Sequence, residues 1–356
     1  MCSYQRLIRA LLLAIPTLST CAAVAQHEPA LRSPWDVHTV SVTDIPYRYT
    51  PPEPLPKDIE ATDYYSDAKH SVIDPVRFAA YNAREKSFRD TMRLVESAAD
   101  KFQATGSRAA AECVLHVLAI NAQAGAVTGK MSSNQAYYVQ NWTLAALAIT
   151  WLKVRGAEPG LLEDRQAVVT WLRSIASCTQ GYFDRGRAKG SGDSKNNHYA
   201  WAGLSIMPTG IAANDKALYG WGVNAYDDGL SRVQPDGTLP LEMSRGQRAL
   251  HYHLFALAPL VTMAEFGAVN GLDLYSRNDG ALSRLVNRAM SGLEDNQYFA
   301  TKAGFAQETP AQGKIKSEDV ILIEPYLRRF PNPAYSRLLE SVPRRPYNYL
   351  GGMPPP

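Results

Sequence analysis

The sequence has few cysteines and, beyond its first residues, no long apolar run. Of its four cysteines, Cys2 and Cys21 lie in the N-terminal leader described below, which leaves Cys113 and Cys178. Two cysteines do not make a disulfide framework, and both stand in apolar helical contexts, where buried free thiols are as expected as a bridge. No Cys/His spacing indicates a zinc site, and we predict no cofactor. No later stretch has the unbroken apolar length of about 20 residues that a membrane span needs.

Neither positive nor negative side chains are in clear excess. The chain has 37 Lys and Arg against 34 Asp and Glu, and two of the basic residues, Arg6 and Arg9, belong to the leader, which leaves 35 against 34. Such a balance does not indicate a nucleic-acid partner. A polyanionic partner is expected only if positive side chains are concentrated in a cleft.

The first 25 residues have the composition of an export signal. A positively charged start is followed by a short apolar run, residues 10–18, and by the small-residue cleavage site Ala23-Val24-Ala25. A lipoprotein signal ending at Cys21 fits less well, because threonine is unusual before the cysteine. We therefore predict a signal peptide over residues 1–25, a periplasmic or secreted protein, and no membrane attachment once the signal is removed.

Three segments with different organisation follow the leader. Residues 26–60 are rich in proline, and Pro51-Pro52-Glu53-Pro54-Leu55-Pro56 predicts an extended segment on the surface. Asp58–Asp74 is polar and predicts a long loop, a kind of loop that is usually functional or mobile. Residues 61–356 show no break in composition, which predicts one domain, and we expect a monomer.

From about Pro75 onward apolar residues recur at spacings of three and four, the pattern of amphipathic helices. The predicted helices span Asn82–Lys101, Arg108–Ala124, Ala136–Val154, Arg165–Cys178, His198–Ile211, Asn214–Leu230, Gln247–Val269 and Gly280–Leu293. Mostly apolar helices alternate with more polar ones, and strand signals are almost absent. The sequence therefore predicts an all-α fold, with a layered toroid of helical hairpins favoured over a compact bundle.

The first motif that could carry chemistry is Asn196-Asn197-His198. The asparagines are well placed to cap a helix that begins near His198, and a cap followed by a surface histidine is the structural interpretation. The functional alternative is that the positive end of the helix keeps this imidazole neutral, so that it can accept a proton. An asparagine amide beside it could donate to a carboxylate.

The second motif is the run Arg245-Gly246-Gln247-Arg248-Ala249-Leu250-His251-Tyr252-His253. On a helix, positions 245, 248 and 252 share one face, which places two guanidiniums beside a phenol. The two cations are expected to lower the pKa of Tyr252 by favouring its phenolate, which suits an acid/base role. The alternative is a solvated basic face with a structural tyrosine. His251 and His253 project to opposite sides of a regular helix and cannot share a metal.

Together these motifs resemble those of the alginate lyases of polysaccharide lyase family five. That family has an Asn-Asn-His helix start followed by a tryptophan, here Trp201, and about fifty residues later an Arg-x-Gln-Arg-Ala-Leu-x-Tyr-His helix. The likeness continues through Ala256-Leu257-Ala258-Pro259-Leu260 and Val269-Asn270-Gly271-Leu272-Asp273-Leu274, and it covers most of residues 60–300. It implies an incomplete α/α toroid with a long lid loop, endolytic cleavage of an anionic polysaccharide, and no metal.

The resemblance also implies residue roles. Asn197 and Arg245 would neutralise the substrate carboxylate, and His198 and Tyr252 would handle the proton. The substrate-binding side chains that we predict with them are Tyr65, Lys69, Trp142, Trp201, Arg248 and His251. Because the alginate enzymes usually have alanine where this chain has His251, we expect a substrate range that extends from poly-mannuronate to poly-glucuronate and hyaluronan. We also expect a preference that changes with pH across the histidine range.

Two other functions remain open from the residues alone. A glycoside hydrolase on an α/α toroid would need two carboxylates facing each other across the cleft, and the acids nearest the motifs, Asp193 and Glu242, form no convincing pair. A polyuronate-binding envelope protein without catalytic activity would need only aromatic and arginine side chains. The positioned histidine and tyrosine would then have no explanation.

Overall fold

The computed structural model describes residues 29–310 and 313–356, and the predicted signal peptide lies outside the described residues. The α-helices are α1 (Pro75–Arg84), α2 (Lys86–Thr105), α3 (Arg108–Ala124), α4 (Asn134–Val154), α5 (Leu162–Ala188), α6 (Asn197–Ala213), α7 (Lys216–Ser231), α8 (Pro240–Met243), α9 (Ala249–Ala268), α10 (Arg277–Glu294), α11 (Gln297–Ala303), α12 (Ser317–Val320), α13 (Glu324–Arg329) and α14 (Pro333–Glu340). Within the described residues no β-strand forms, and only isolated bridges occur. The predicted all-α fold is confirmed.

The helices form two layers, because their sequences offer two kinds of surface. α4, α6 and α9 are apolar on nearly every side and are buried along almost their whole length. α2, α4, α6 and α9 pack successively as the inner layer, whereas α3, α5, α7 and α10 cover them from outside. An amphipathic helix can cover one side of a buried helix while its polar face stays in water. This arrangement is the layered α/α toroid that the alternating patterns predict.

Two of the predicted helices differ from the observed ones by more than three residues at an end. The predicted helix Asn82–Lys101 is two helices, because the Asp74 side chain caps α1 by accepting from two backbone N–H groups, and α1 ends just before Glu85. The helix predicted to end at Cys178 continues to Ala188, since Thr179 and Phe183 extend its buried stripe at a spacing of four. α3 has the predicted bounds.

The described part of the extended segment before α1 lies along the helices and has no α-helix of its own. It makes single bridges at Thr43 with Ser107 and at Ile59 with Met131. The two cysteines beyond the leader are free thiols, with Cys113 buried and Cys178 exposed. No helix among the described residues is long and apolar enough to cross a membrane.

Candidate active site

A cleft with a volume of about 990 Å³ opens on the inner layer of helices. Asp58–Asp74, called the lid below, the start of α6 and the turn before α9 contribute to its walls, together with parts of α1, α2, α4, α9 and the C-terminal segment. Eight of the predicted site residues line it: Tyr65, Lys69, Trp142, His198, Arg245, Arg248, His251 and Tyr252. Their association brings together lid, motif and helix residues that are far apart in sequence, while Asn197 and Trp201 lie elsewhere.

The start of α6 is built from the two asparagines in different ways. Asn196 is the cap, and its Oδ1 accepts from the backbone N–H of His198 at 3.0 Å. Asn197 is only 2 % exposed, and its backbone and side-chain N–H groups both donate to the buried carboxylate of Glu242, at 2.7 to 3.1 Å. The side-chain nitrogen of Asn197 is thus bound to Glu242 in this structure, and its role at a substrate carboxylate stays a prediction. Asn196 lines the cleft instead.

His198 is held by stacking. Its ring lies parallel to that of Tyr138, with centroids 3.6 Å apart and an angle of 10° between the planes. Burial lowers the pKa of His198 to about 3, with further lowering by Arg245 and His70. This direction agrees with the neutral imidazole that we expected, but its largest cause is burial and not the helix end. Its Nδ1 is buried without a hydrogen-bond partner among the described residues.

A turn that contains Gly246 and the start of α9 together place the two arginines next to Tyr252. α9 begins at Ala249, and Gly246 before it adopts φ +57°, a left-handed conformation that glycine accommodates without steric cost. The Arg245 guanidinium carbon lies 3.7 Å from the centroid of the Tyr252 ring, and that of Arg248 lies 5.6 Å away. The predicted cluster is confirmed, but it places a cation over the face of the phenol.

The protonation of Tyr252 differs from the expectation. Burial raises the pKa of its phenol above the usual range, and the neighbouring phenol of Tyr65 acts in the same direction. Arg245 and Arg248 lower this pKa, as expected, but they offset burial only in part. The resting side chain is therefore a neutral phenol beside two cations. It can donate a proton at once, and it becomes a base only when the phenolate is favoured further.

The lid is docked over this cluster. The hydroxyls of Tyr65 and Tyr252 are hydrogen-bonded at 2.5 Å, and Arg245 donates through Nε and Nη2 to the backbone carbonyl of His70, at 3.3 and 3.0 Å. Asp67 orders the turn between them by accepting from the N–H groups of Ser71 and Val72. Opening the lid would release both the phenol and the guanidinium toward a substrate.

The two histidines of the second motif have different surroundings. His251 lines the cleft, edge-on to Tyr252 at 5.1 Å and stacked on Phe255 at 6.1 Å. His253 points into the core, where its Nε2 accepts from the N–H of Leu239 and its Nδ1 donates to the carbonyl of Ala249. The prediction that they project to opposite sides is confirmed.

Neither cleft histidine of the motifs titrates in the range that we expected. Burial lowers the pKa of His251 well below its ordinary value, with Arg248, Arg245 and Lys316 acting in the same direction. Burial lowers the pKa of His198 to about 3, so this ring is neutral above that pH. Burial and the neighbouring cations therefore favour the uncharged form of both rings, which argues against either ring as the cause of the expected change of substrate preference across the histidine range.

The predicted tryptophans are covered by other aromatic rings. Trp201 is fully buried, donates from Nε1 to the carbonyl of Phe255, and packs beneath that ring at 5.0 Å. Its prediction as a sugar-stacking residue is therefore wrong, because no face of it reaches the cleft. Trp142 lines the cleft but is only 6 % exposed, since Tyr349 stacks on it at 5.1 Å.

Several cleft residues were not predicted from the sequence. Tyr138 could have been found, because it lies one turn before Trp142 on α4 and therefore shares its face. His70 was within reach as well, being next to Lys69 in the lid. Tyr347 and Tyr349 carried no local signal, since they follow α14 in a stretch without periodicity.

The carboxylates near the lid and the two motifs do not form the pair that a glycoside hydrolase requires. Asp63 is paired with His70 in the lid at 2.9 Å, and Asp193 accepts from Tyr182 and Asn134. Glu242 is bound to Asn197 behind the start of α6. The groups at the centre of the cleft are a phenol, an imidazole and two guanidiniums, which suit proton transfer next to a bound anion.

Comparison with known proteins agrees with this geometry. The Alginate lyase family model matches residues 58–299. A polysaccharide lyase of Stenotrophomonas maltophilia is 38% identical over 72% of this chain and 76% of its own length. An alginate lyase of Pseudomonas fluorescens is 33% identical over 73% of this chain and 71% of its own.

The fold is also that of a solved structure. Alginate lyase A1-III from Sphingomonas species A1 superposes with a TM-score of 0.73, covers 87% of both chains and is 24% identical. A variant of alginate lyase A1-III solved with a tetrasaccharide gives a TM-score of 0.75, covers 91% of this chain and 89% of that one, and is 23% identical. By its sequence match and the relatives above, this chain belongs to the alginate lyase family, polysaccharide lyase family five, and is a carbon–oxygen lyase that acts on polysaccharides.

Proposed function

We propose that this lyase cleaves 1,4-linked uronic-acid polymers, namely poly-mannuronate and poly-glucuronate, by β-elimination that leaves 4,5-unsaturated uronate ends. The observation that carries the proposal is the neutral phenol of Tyr252, placed 3.7 Å beneath the Arg245 guanidinium in a cleft that also holds the neutral ring of His198. Two of the relatives above are named alginate lyases. The test is whether ultraviolet absorbance of the conjugated unsaturated uronate appears when the protein meets these polymers. Depolymerisation without that absorbance would contradict the proposal.

The elimination needs a cation at the substrate carboxylate. The C5 proton of a uronate is weakly acidic because the attached carboxylate is already negative. A guanidinium that binds the carboxylate stabilises the charge that builds up there in the transition state. Arg245 is suited to this, since its Nη1 makes no hydrogen bond within the described part of the chain and its other donors are engaged only by the lid.

The proton passes through Tyr252. In β-D-mannuronate and β-D-glucuronate the C5 hydrogen and O4 leave from the same side of the ring, so one residue can remove the proton and then give it to the departing O4. Tyr252 takes both roles, with the phenolate favoured by Arg245 and Arg248 during the step. His198, fixed against Tyr138, supports it as a neutral partner. In α-L-guluronate the two groups lie on opposite sides, and His198 would have to be the base.

The pH profile distinguishes these two bases. The pKa of Tyr252 is raised, so the fraction of phenolate increases as pH rises, and kcat/KM on poly-mannuronate should increase by up to about tenfold per pH unit between pH 6 and 9. If His198 were the base, its pKa of about 3 would leave it deprotonated throughout, and the profile would be flat. The measurement is kcat/KM from initial rates of absorbance over a pH series. A flat profile would contradict the role of Tyr252 as base.

His251 carries the proposal of broad substrate range. Its ring lies in the cleft 5.1 Å from that of Tyr252, where it can meet the C2 hydroxyl, the group whose orientation separates glucuronate from mannuronate. We expect wild type to cleave both polymers, and hyaluronan as well. His251→Ala should lower kcat/KM on the glucuronate-containing polymers several-fold more than on poly-mannuronate. Equal losses of kcat/KM on all three polymers, or no loss on any, would show that His251 does not determine substrate preference. The proposed lyase activity would not be affected by that result.

We also propose that the enzyme works as a monomer after export, in the periplasm or outside the cell. The support is the leader, in which a basic start, an apolar run and Ala23-Val24-Ala25 occur in the order of a signal peptide. N-terminal sequencing of the exported protein should begin at Gln26. A product that retains the leader in the cytoplasmic fraction would contradict the export proposal.

A further inference from the structure

The C-terminal segment, residues 313–356, lies outside the family match, which ends at residue 299, and yet it contributes to the cleft. Three of its side chains, Leu322, Tyr347 and Tyr349, give this wall an apolar surface, and Glu318 and Asp319 add charge at its edge. This wall of the cleft is therefore specified by residues that the family match leaves out.

The aromatic part of this wall is a stack. Tyr349 lies on Trp142 with ring centroids 5.1 Å apart and planes 22° apart, and Tyr347 follows at 6.2 Å from Tyr349. Phe255 and Trp201 support the rings from the side, edge-on to Tyr349 at 6.5 and 5.9 Å. Tyr347 and Tyr349 are half-buried, so each keeps part of its surface in the cleft.

The polypeptide that carries the stack is firmly anchored. Lys153 of α4 has no exposed side-chain surface, and its ammonium donates to the carbonyls of Gly351 and Met353 and to the carboxylate of Asp100, at 2.6 to 2.9 Å. A Cβ on Gly351 would lie 2.6 Å from the side chain of Ile149, so the segment passes as close to α4 as glycine allows. The rings are thus presented by a rigid support.

The charges around the stack are of both signs. Glu318 and Asp319 line the same wall, Arg89 of α2 lines the cleft near Tyr349, and Glu85 is buried behind it. Burial raises the pKa of Glu85 to about 7. Such a mixture gives no net attraction for an anionic group, in contrast to the cations around Tyr252. A sugar bound here would be held by contact of its ring with an aromatic face.

We propose that Tyr349, with Tyr347 beside it and Trp142 beneath it, forms a subsite that binds one sugar ring of the polymer by stacking, apart from the ring that undergoes elimination. The proposal rests on the proposed function, because it assumes a sugar polymer in the cleft. Tyr349 is a specificity-determining residue in this scheme. It decides how strongly long chains bind, and it takes no part in proton transfer.

The test compares Tyr349→Ala with Tyr349→Phe. Loss of the ring should raise KM for the long polymer by roughly tenfold and leave kcat within about twofold, because stacking stabilises ground and transition states equally. The phenylalanine variant keeps the ring and should behave like wild type. An oligosaccharide too short to extend from Tyr252 past Phe255 to Tyr349 should show no difference. The effect should persist at high salt, since it does not depend on charge.

Binding measured without turnover separates the subsite from the catalytic proposal. In a Tyr252→Phe background, adding Tyr349→Ala should weaken the calorimetric Kd for a long oligosaccharide by a similar factor, whether or not the chemistry is as proposed. Phe330→Ala is the control, since Phe330 is an exposed aromatic of the same segment that packs against Tyr275 and Tyr326 outside the cleft. An unchanged KM and Kd, equal losses on substrates of every length, or a Tyr349→Phe variant as impaired as Tyr349→Ala would each overturn the subsite.

Discussion

Tyr252→Phe is expected to lower kcat on every substrate by roughly 100- to 10,000-fold, the usual cost of losing a proton-transfer group. Only the hydroxyl is removed, so the ring still fills the space beneath Arg245 and contacts His251 and Phe255. The hydroxyl is also half of the 2.5 Å hydrogen bond with Tyr65. The measurement is the initial rate of unsaturated-uronate formation at saturating polymer.

Two controls make this result specific. Tyr219→Phe removes a buried hydroxyl that donates to the carbonyl of Phe266 on the far side of the inner helices, and it should leave kcat unchanged. Tyr65→Phe removes the same lid contact but keeps Tyr252. If Tyr65→Phe were as impaired as Tyr252→Phe, the lid contact would explain the loss. A correctly folded Tyr252→Phe variant with near-normal turnover would remove Tyr252 from the chemistry altogether.

Arg245→Lys is expected to lower kcat by roughly 100- to 1,000-fold, the size of effect seen when one donor to a developing negative charge is lost. The charge is kept, but the planar fork that can bind a carboxylate through two N–H groups is not. The guanidinium also lies over the face of the Tyr252 ring and donates twice to the carbonyl of His70 in the lid, and an ammonium does not reproduce these contacts. Both kcat and KM should be measured, on polymer and on a short oligosaccharide.

The relative changes in kcat and KM show which role Arg245 has. A fall in kcat with a smaller change in KM means that it stabilises the transition state, whereas a rise in KM alone would make it a residue of ordinary substrate binding. Arg173→Lys is the matched control, because Arg173 makes an exposed pair with Asp215 on the outer face of α5. Exposed ion pairs contribute little, so that variant should turn over like wild type.

Local features of the site could be predicted because they depend on residues within one or two helical turns. The cap that Asn196 gives to α6 and the opposite projections of His251 and His253 follow from spacing along a helix. Gly246 shows the limit of such spacing, since its left-handed φ replaces the expected helical turn, even though the arginines still reach Tyr252. The chemical roles predicted for these residues came from the family resemblance.

Contacts between distant parts of the chain were not predictable in this way. Glu242 accepts a hydrogen bond from the side-chain amide of Asn197, and the ring of Tyr349 stacks on Trp142. No sequence pattern connects either pair of positions. The pKa of Tyr252 shows the same limit in electrostatic terms. Two nearby arginines suggested a lowered value, but desolvation by the surrounding helices and lid outweighs them. Burial depends on everything packed around a group, and a short motif does not contain that information.

The sequence by itself determined the helical class, the two motifs and, through them, the family, because helical periodicity and motif spacing are properties of neighbouring residues. The tertiary structure alone decided which motif residues face the cleft, how their protons are held, and which aromatic rings are available to a sugar. Those outcomes depend on the closure of the inner helices against the lid and the C-terminal segment. The packing of these parts against one another determines how far each site residue is removed from water and which distant residues it contacts.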